Sequence, residues 1–114
     1  MDGFYIAYLT GSGGSSMVLF AVKEGRLIGA DVGGTKYDGR LEKKPGESGF
    51  SCHVQYTVPP GTVLITGSGP VATPTNVNLT FDLPENFAEE IVVGIQTPLG
   101  PLNATFSKLR EFDF

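Results

Sequence analysis

The chain has 114 residues and a mass of 12.1 kDa, with 40% hydrophobic and 18% charged residues, which suits one folded domain over residues 1–114 and excludes a disordered or membrane-spanning chain. Net charge is −4 at pH 7 and the eight basic residues are scattered, so no cationic stripe exists to neutralise phosphates and direct nucleic-acid binding is excluded. Sixteen Gly and eight Pro, with ten Val, five Ile and ten Thr against six Ala, favour turns and pleated strands over helices.

Strand signals recur along the chain, each bounded by Gly, Pro or Asp. The first is expected over Phe4 to Thr10, ending in the loop Gly11-Ser12-Gly13-Gly14-Ser15. The second, Met17 to Lys23, meets a hairpin turn at Glu24-Gly25 and returns as Arg26 to Asp31. After Val32-Gly33-Gly34 come Thr35 to Lys43, a turn at Pro45-Gly46-Glu47, and Gly49 to Val58, which Pro59-Pro60-Gly61 stops. A short strand over Thr62 to Thr66 follows, then an irregular link, Gly67 to Thr75, expected to be the most mobile segment because its Gly and Pro residues do not suit a central strand. Asn76 to Leu83 alternates, with Val77, Leu79, Phe81 and Leu83 on one face and polar residues on the other. Pro84 to Glu90 is expected to form one helical turn, with Asp82 as a cap, and a second helical turn is placed near Lys108 to Glu111. Ile91 to Thr97 and Leu102 to Phe106 make the last hairpin across Pro98-Leu99-Gly100-Pro101.

Gly49 to Val58 also alternates, placing Phe50, Cys52, Val54, Tyr56 and Val58 on one face and Ser51, His53, Gln55 and Thr57 on the other. About eight short strands, each with one apolar face, close best into an all-β, lipocalin-like antiparallel barrel, which removes exposed sheet edges. A barrel of that size is either filled by side chains or holds one small ligand. The residues that would line such a cavity are Phe50, Val54, Tyr56, Leu79, Phe81, Val93, Ile95 and Phe106. Apolar residues are also left over on the parity expected to face outward, among them Tyr5, Leu9 and Leu19. Strands apolar on both faces are covered on both, and a second copy of the chain is the simplest cover, so a homodimer through these residues is expected.

Chemistry is sparse. The single His, His53, lies on a polar strand face while its neighbour Cys52 points the opposite way, so the two form no dyad, and a lone His makes a poor metal site. Gly11 to Ser16 lacks the Lys-Ser/Thr ending and the following helix of a phosphate loop. Asp31-Val32-Gly33-Gly34-Thr35 reads as a turn, and the acid pairs Glu89-Glu90 and Glu111 with Asp113 sit at element ends as solvated charge. No catalytic, metal or cofactor site is expected, and the chain reads as non-enzymatic. Cys52 has no partner for an internal disulfide, and the start Met1-Asp2-Gly3-Phe4 carries an acid where an export signal needs positive charge. A cytoplasmic protein without membrane anchor is expected.

The spacing Met1-x-Gly3-x-Tyr5, the Gly11 to Gly14 loop, Gly25-x3-Gly29-x-Asp31 and Tyr37-x-Gly39 resembles the opening strands of GrlR-type negative regulators of type III secretion. The resemblance covers roughly residues 1 to 66. It implies an eight-stranded, lipocalin-like barrel, dimeric, that represses secretion genes by sequestering a helix-turn-helix activator in the bacterial cytoplasm. The alternative is a barrel that binds a small molecule or lipid. Members of that family carry a run of consecutive surface acids, and the corresponding loop here reads Glu42-Lys43-Lys44-Pro45-Gly46-Glu47, so no functional residue carries over at those positions.

Overall fold

The alternating runs fold into eight antiparallel strands: β1 (Gly3–Gly11), β2 (Gly14–Lys23), β3 (Arg26–Asp31), β4 (Lys36–Lys43), β5 (Phe50–Val58), β6 (Thr75–Leu83), β7 (Glu89–Thr97) and β8 (Gly100–Arg110). The computed structural model describes residues 1–62, 65–67 and 71–112. Neighbours in the single sheet run β6-β5-β4-β3-β2-β1-β8-β7, and the sheet curls into a nearly closed barrel in which β6 and β7 approach across a seam without pairing. The upper end of the barrel carries the β1–β2, β3–β4 and β7–β8 turns and the β5–β6 connection. The lower end carries the other turns and the segments flanking β1 and β8.

Local chemistry sets the tightest turns and the curvature. Lys23 pairs with Arg26 across a two-residue loop in which Glu24 and Gly25 have φ of 51° and 82°, the paired positive values that match the twist of a hairpin. On the inner faces of β3 and β4 stand Gly29 and Gly39. A side chain at Gly29 would meet Phe20 Cβ at 2.8 Å, and one at Gly39 would run into the His53 carbonyl. Their missing side chains let β2, β3, β4 and β5 coil tightly enough to close a barrel.

The lower half of the interior is filled. Tyr5 is 2% exposed and stacks on Phe20 with ring centres 5.2 Å apart. Phe87, carried on the β6–β7 turn, reaches in from below to meet Tyr5, Phe50 and Phe106 at 5.9, 5.5 and 5.7 Å. Leu41, Val22 and Cys52 complete the packed layer with almost no exposure.

Several expectations are corrected. Pro84 to Glu90 forms no helical turn: Phe87 N–H donates to Pro84 O and Glu89 N–H to Asn86 O, both at 3.0 Å, giving two successive β-turns that leave β7 to begin at Glu89. No helical turn forms near Lys108 either, because β8 pairs with β1 as far as Arg110. The expected strand over Thr62 to Thr66 lies partly outside the described residues, and Thr62, Ile65 and Thr66 belong to no strand. Part of the Gly67 to Thr75 link, residues 68–70, also lies outside them. The parity of β1 is reversed from expectation: Tyr5 and Leu9 point into the barrel, and Phe4, Ile6 and Tyr8 face out. The reason is that β1 is apolar on both faces, so its sequence contains no alternation from which to read the inner side.

Candidate functional site

Above the aromatic layer the strands diverge around an apolar cavity of about 160 Å³. Its wall receives Val54 and Tyr56 from β5, Leu79 and Phe81 from β6, Ile95 from β7 and Phe106 from β8. Two residues expected there are elsewhere: Phe50 packs edge-on against Phe87 in the lower layer, and Val93 packs against the core without reaching the cavity. The rest of the wall comes from the other side of the barrel, chiefly Ala7 and Leu9 of β1, Val18 and Phe20 of β2, and Leu27 of β3. Sequence reading left these out because only β5 to β8 alternated cleanly enough to assign an inner face.

The upper end is narrowed by Ile65, Thr66 and Leu99. Ile65 O accepts from Gly13 N–H at 2.6 Å and Thr66 O from the Ser12 hydroxyl at 2.7 Å, so the β5–β6 connection is tied down onto the β1–β2 turn. The Gly11 to Ser16 loop thus acts as an anchor for that connection. Ser12 and Gly13 spend their hydrogen bonds within the protein.

Polar groups near the cavity are few and mostly committed. Tyr37 donates its hydroxyl to Asp31 Oδ2 at 2.9 Å, while Asp31 Oδ1 accepts from the N–H groups of Gly33 and Thr35, both at 3.0 Å. Burial, and then the neighbouring Asp31 carboxylate, hold the Tyr37 phenol far above its usual range. Burial alone pushes the Cys52 thiol up to about 12, so at neutral pH it stays protonated and poorly nucleophilic. His53 points away from Cys52, outside the barrel, where its Nδ1 lies 2.8 Å from Thr80 Oγ1. Among the described residues no group of three or more His, Cys, Asp or Glu could hold a metal ion, and no helix is long and apolar enough to cross a membrane. Asp113, one of the acids noted in the sequence, lies outside the described residues.

The outer faces of β1 to β6 fall into a polar part and an apolar part, and β7 and β8 add the isolated exposed side chains Val92 and Leu109. On β4, β5 and β6 the outward residues form polar rows across the sheet: Glu42, Ser51 and Asp82; Arg40, His53 and Thr80; Asp38, Gln55 and Asn78; and Thr57 with Asn76. Across the middle of β1, β2 and β3 the outward residues are apolar, with Ile6 opposite Leu19, Leu19 opposite Ala30, Phe4 opposite Ala21, and Ala21 opposite Ile28, and polar residues, Thr10 with Ser15 and Lys23 with Arg26, stand at the two ends. Leu19, Ile28 and Tyr8 are 55%, 51% and 49% exposed. Of the three residues expected at a dimer contact, this face contains Leu19, whereas Tyr5 and Leu9 are inside the barrel. Ile28 and Ala30 extend the patch onto a strand whose short length and central glycine hid its pattern.

Most of the residues that carry the family resemblance have structural roles. Gly25 sits in the β2–β3 turn, Gly29 and Gly39 permit the curvature, and Tyr5 fills the lower core. Asp31 and Tyr37 tie the β3–β4 turn. Comparison with models of protein families, with curated proteins and with solved structures finds no match.

Proposed function

We propose that this protein is a non-enzymatic regulatory binding protein that acts through contacts with other proteins, and that it is a homodimer through the outer face of β1, β2 and β3. The observation that supports this is the contiguous apolar patch across the middle of those three strands, where Tyr8, Met17, Leu19 and Ile28 are exposed, while the adjoining outer face of β4, β5 and β6 is polar; Val92 on β7 and Leu109 on β8 are exposed too, but lie outside that patch. An apolar patch on one side of a small domain favours association, and a two-fold contact lets the same face cover itself. The resemblance to GrlR-type regulators supplies the role: repression of secretion genes in the bacterial cytoplasm by sequestering a helix-turn-helix activator. The loop that corresponds to the family's acidic run instead pairs its lysines at the surface with acids of the same molecule, Lys43 with Glu85 at 3.4 Å and Lys44 with Asp82 at 2.8 Å. An activator would therefore be held mainly by apolar contact, and its binding would weaken only slightly as salt rises.

Light scattering at micromolar concentration is expected to give twice the 12.1 kDa chain mass, with Leu19→Glu shifting the protein to monomer; a monomeric wild type overturns the dimer. Loss of an activator from its promoter DNA on adding this protein supports sequestration, and tight binding of DNA by this protein alone overturns it.

A second reading, a barrel that binds a small molecule, is supported by the cavity of about 160 Å³ above the aromatic layer.

A further inference from the structure

We propose that the cavity binds a neutral molecule with a single aromatic ring, of the size of benzene or toluene, and excludes fatty acids and other carboxylates. The inference rests on the small-molecule reading and narrows it by size, charge and shape.

Size comes first. An apolar space of about 150 Å³ is large enough to take up benzene, and this one, which is not sealed from solvent, measures about 160 Å³. Sites for larger ligands are typically ~300 Å³ or more. Below it the barrel is blocked by Tyr5, Phe87 and Phe106, so a long chain has no room to extend downward. Above it, Ile65 and Thr66 are held by their hydrogen bonds to Gly13 and Ser12.

Charge comes second. No Lys, Arg or His is among the lining residues, so an entering carboxylate would lose its water and gain no cationic partner. The polar side chains of the lining are all uncharged: the Tyr37 hydroxyl is engaged with Asp31, Tyr56 and Thr66 bring hydroxyls that cannot neutralise a carboxylate, and the Cys52 thiol is only a weak donor. Shape comes third. Phe20, Tyr37, Tyr56, Phe81 and Phe106 present aromatic rings to the space, and rings prefer offset or edge-on contact with another ring.

The test uses the full chain with its methyl groups labelled for NMR, titrated separately with benzene, benzoate and dodecanoate. Benzene is expected to shift the methyl signals of Val54, Leu79 and Ile95, leave those of Leu19 and Ile28 in place, and raise the thermal midpoint as its concentration rises. Benzoate is expected to bind at least roughly a hundredfold more weakly, because its charge would give up water among apolar side chains with no cation to replace it. Dodecanoate is expected to leave the interior methyls unmoved. Val54→Phe places a ring in the cavity and should abolish the benzene shifts while strand circular dichroism is retained; Leu79→Phe serves where Val54→Phe fails to fold. Benzene shifts confined to the outer face, or undiminished benzene affinity in a folded cavity-filling variant, overturn the site. Dodecanoate moving the interior methyls overturns the size limit yet leaves a ligand-holding barrel. Silence from all three probes overturns this inference and the small-molecule reading together.

Discussion

Asp31 is the residue through which the upper rim of β3 and β4 is fastened. Its carboxylate accepts two backbone N–H groups and the Tyr37 hydroxyl, so Asp31→Ala would free both amides and leave a half-buried phenol without its partner. We expect that change to cost about 2–3 kcal/mol in urea unfolding, and Tyr37→Phe, which keeps the amide contacts, about 1 kcal/mol. Proton linkage makes a second prediction. Cys52, Tyr5, Tyr37 and Tyr56 all have their ionisation raised by burial, so each keeps its proton in the folded state at a pH where the unfolded chain releases it. Their contribution is therefore fully present below the unfolded values, about 9 for Cys52 and 10 for the tyrosines, and is lost as pH climbs through them. Above that point each well-buried group removes up to ~1.4 kcal/mol per pH unit, so unfolding midpoints should hold steady from pH 7 to about 8.5 and fall steeply by pH 10.5. An unchanged midpoint at pH 10.5 would contradict the burial of these groups. The placement of Cys52 and His53 on opposite sides of β5 could be read from sequence because that strand alternates. The placement of Tyr5 and Leu9 could not, because six successive apolar residues from Phe4 to Leu9 satisfy either register equally well.

The β6–β7 turn demonstrates how an element can be misread when its main partner is distant in sequence. Pro84, with an acid before it and glutamates after it, matches the start of a helix, but Phe87 is drawn into the lower end of the barrel and the backbone makes turns to deliver it. Nothing local announces that destination. Phe87 is 4% exposed and touches three rings, so Phe87→Ala should cost about 3–5 kcal/mol. Phe81 borders the existing cavity and is only half-buried, so Phe81→Ala should cost less, about 2–3 kcal/mol, and Thr80→Ala on the outer face under about 0.5 kcal/mol. Denaturant unfolding of the three variants checks the order. A Phe87→Ala loss no larger than that of Phe81→Ala would mean that the turn does not seal the barrel. By contrast, Glu24-Gly25 was legible as a hairpin because a two-residue connection leaves the strands no other geometry.

At the scale of the molecule, the nearly closed, all-β architecture followed from strand count and turn chemistry, whereas the cavity depended on which strands supply large side chains at each height, a property of three-dimensional neighbours. β1 and β8 lie side by side, with Phe4 opposite Arg110, while β6 and β7, joined through Pro84 to Ala88, do not pair at all. Read from β7 through β8, β1 and onward to β6, every strand would pair with the next one in line. A circular permutant with the two ends joined by a short Gly/Ser linker and new ends opened between Glu85 and Asn86 would therefore turn the fold into an uninterrupted meander. Its longest-range ladder, β1 with β8, would become local, and because folding slows as contacting residues lie further apart in sequence, the permutant should refold faster in stopped-flow mixing while keeping the same strand spectrum. In the permutant the strands that now pair across the greatest separation in sequence, β1 and β8, would meet as neighbours.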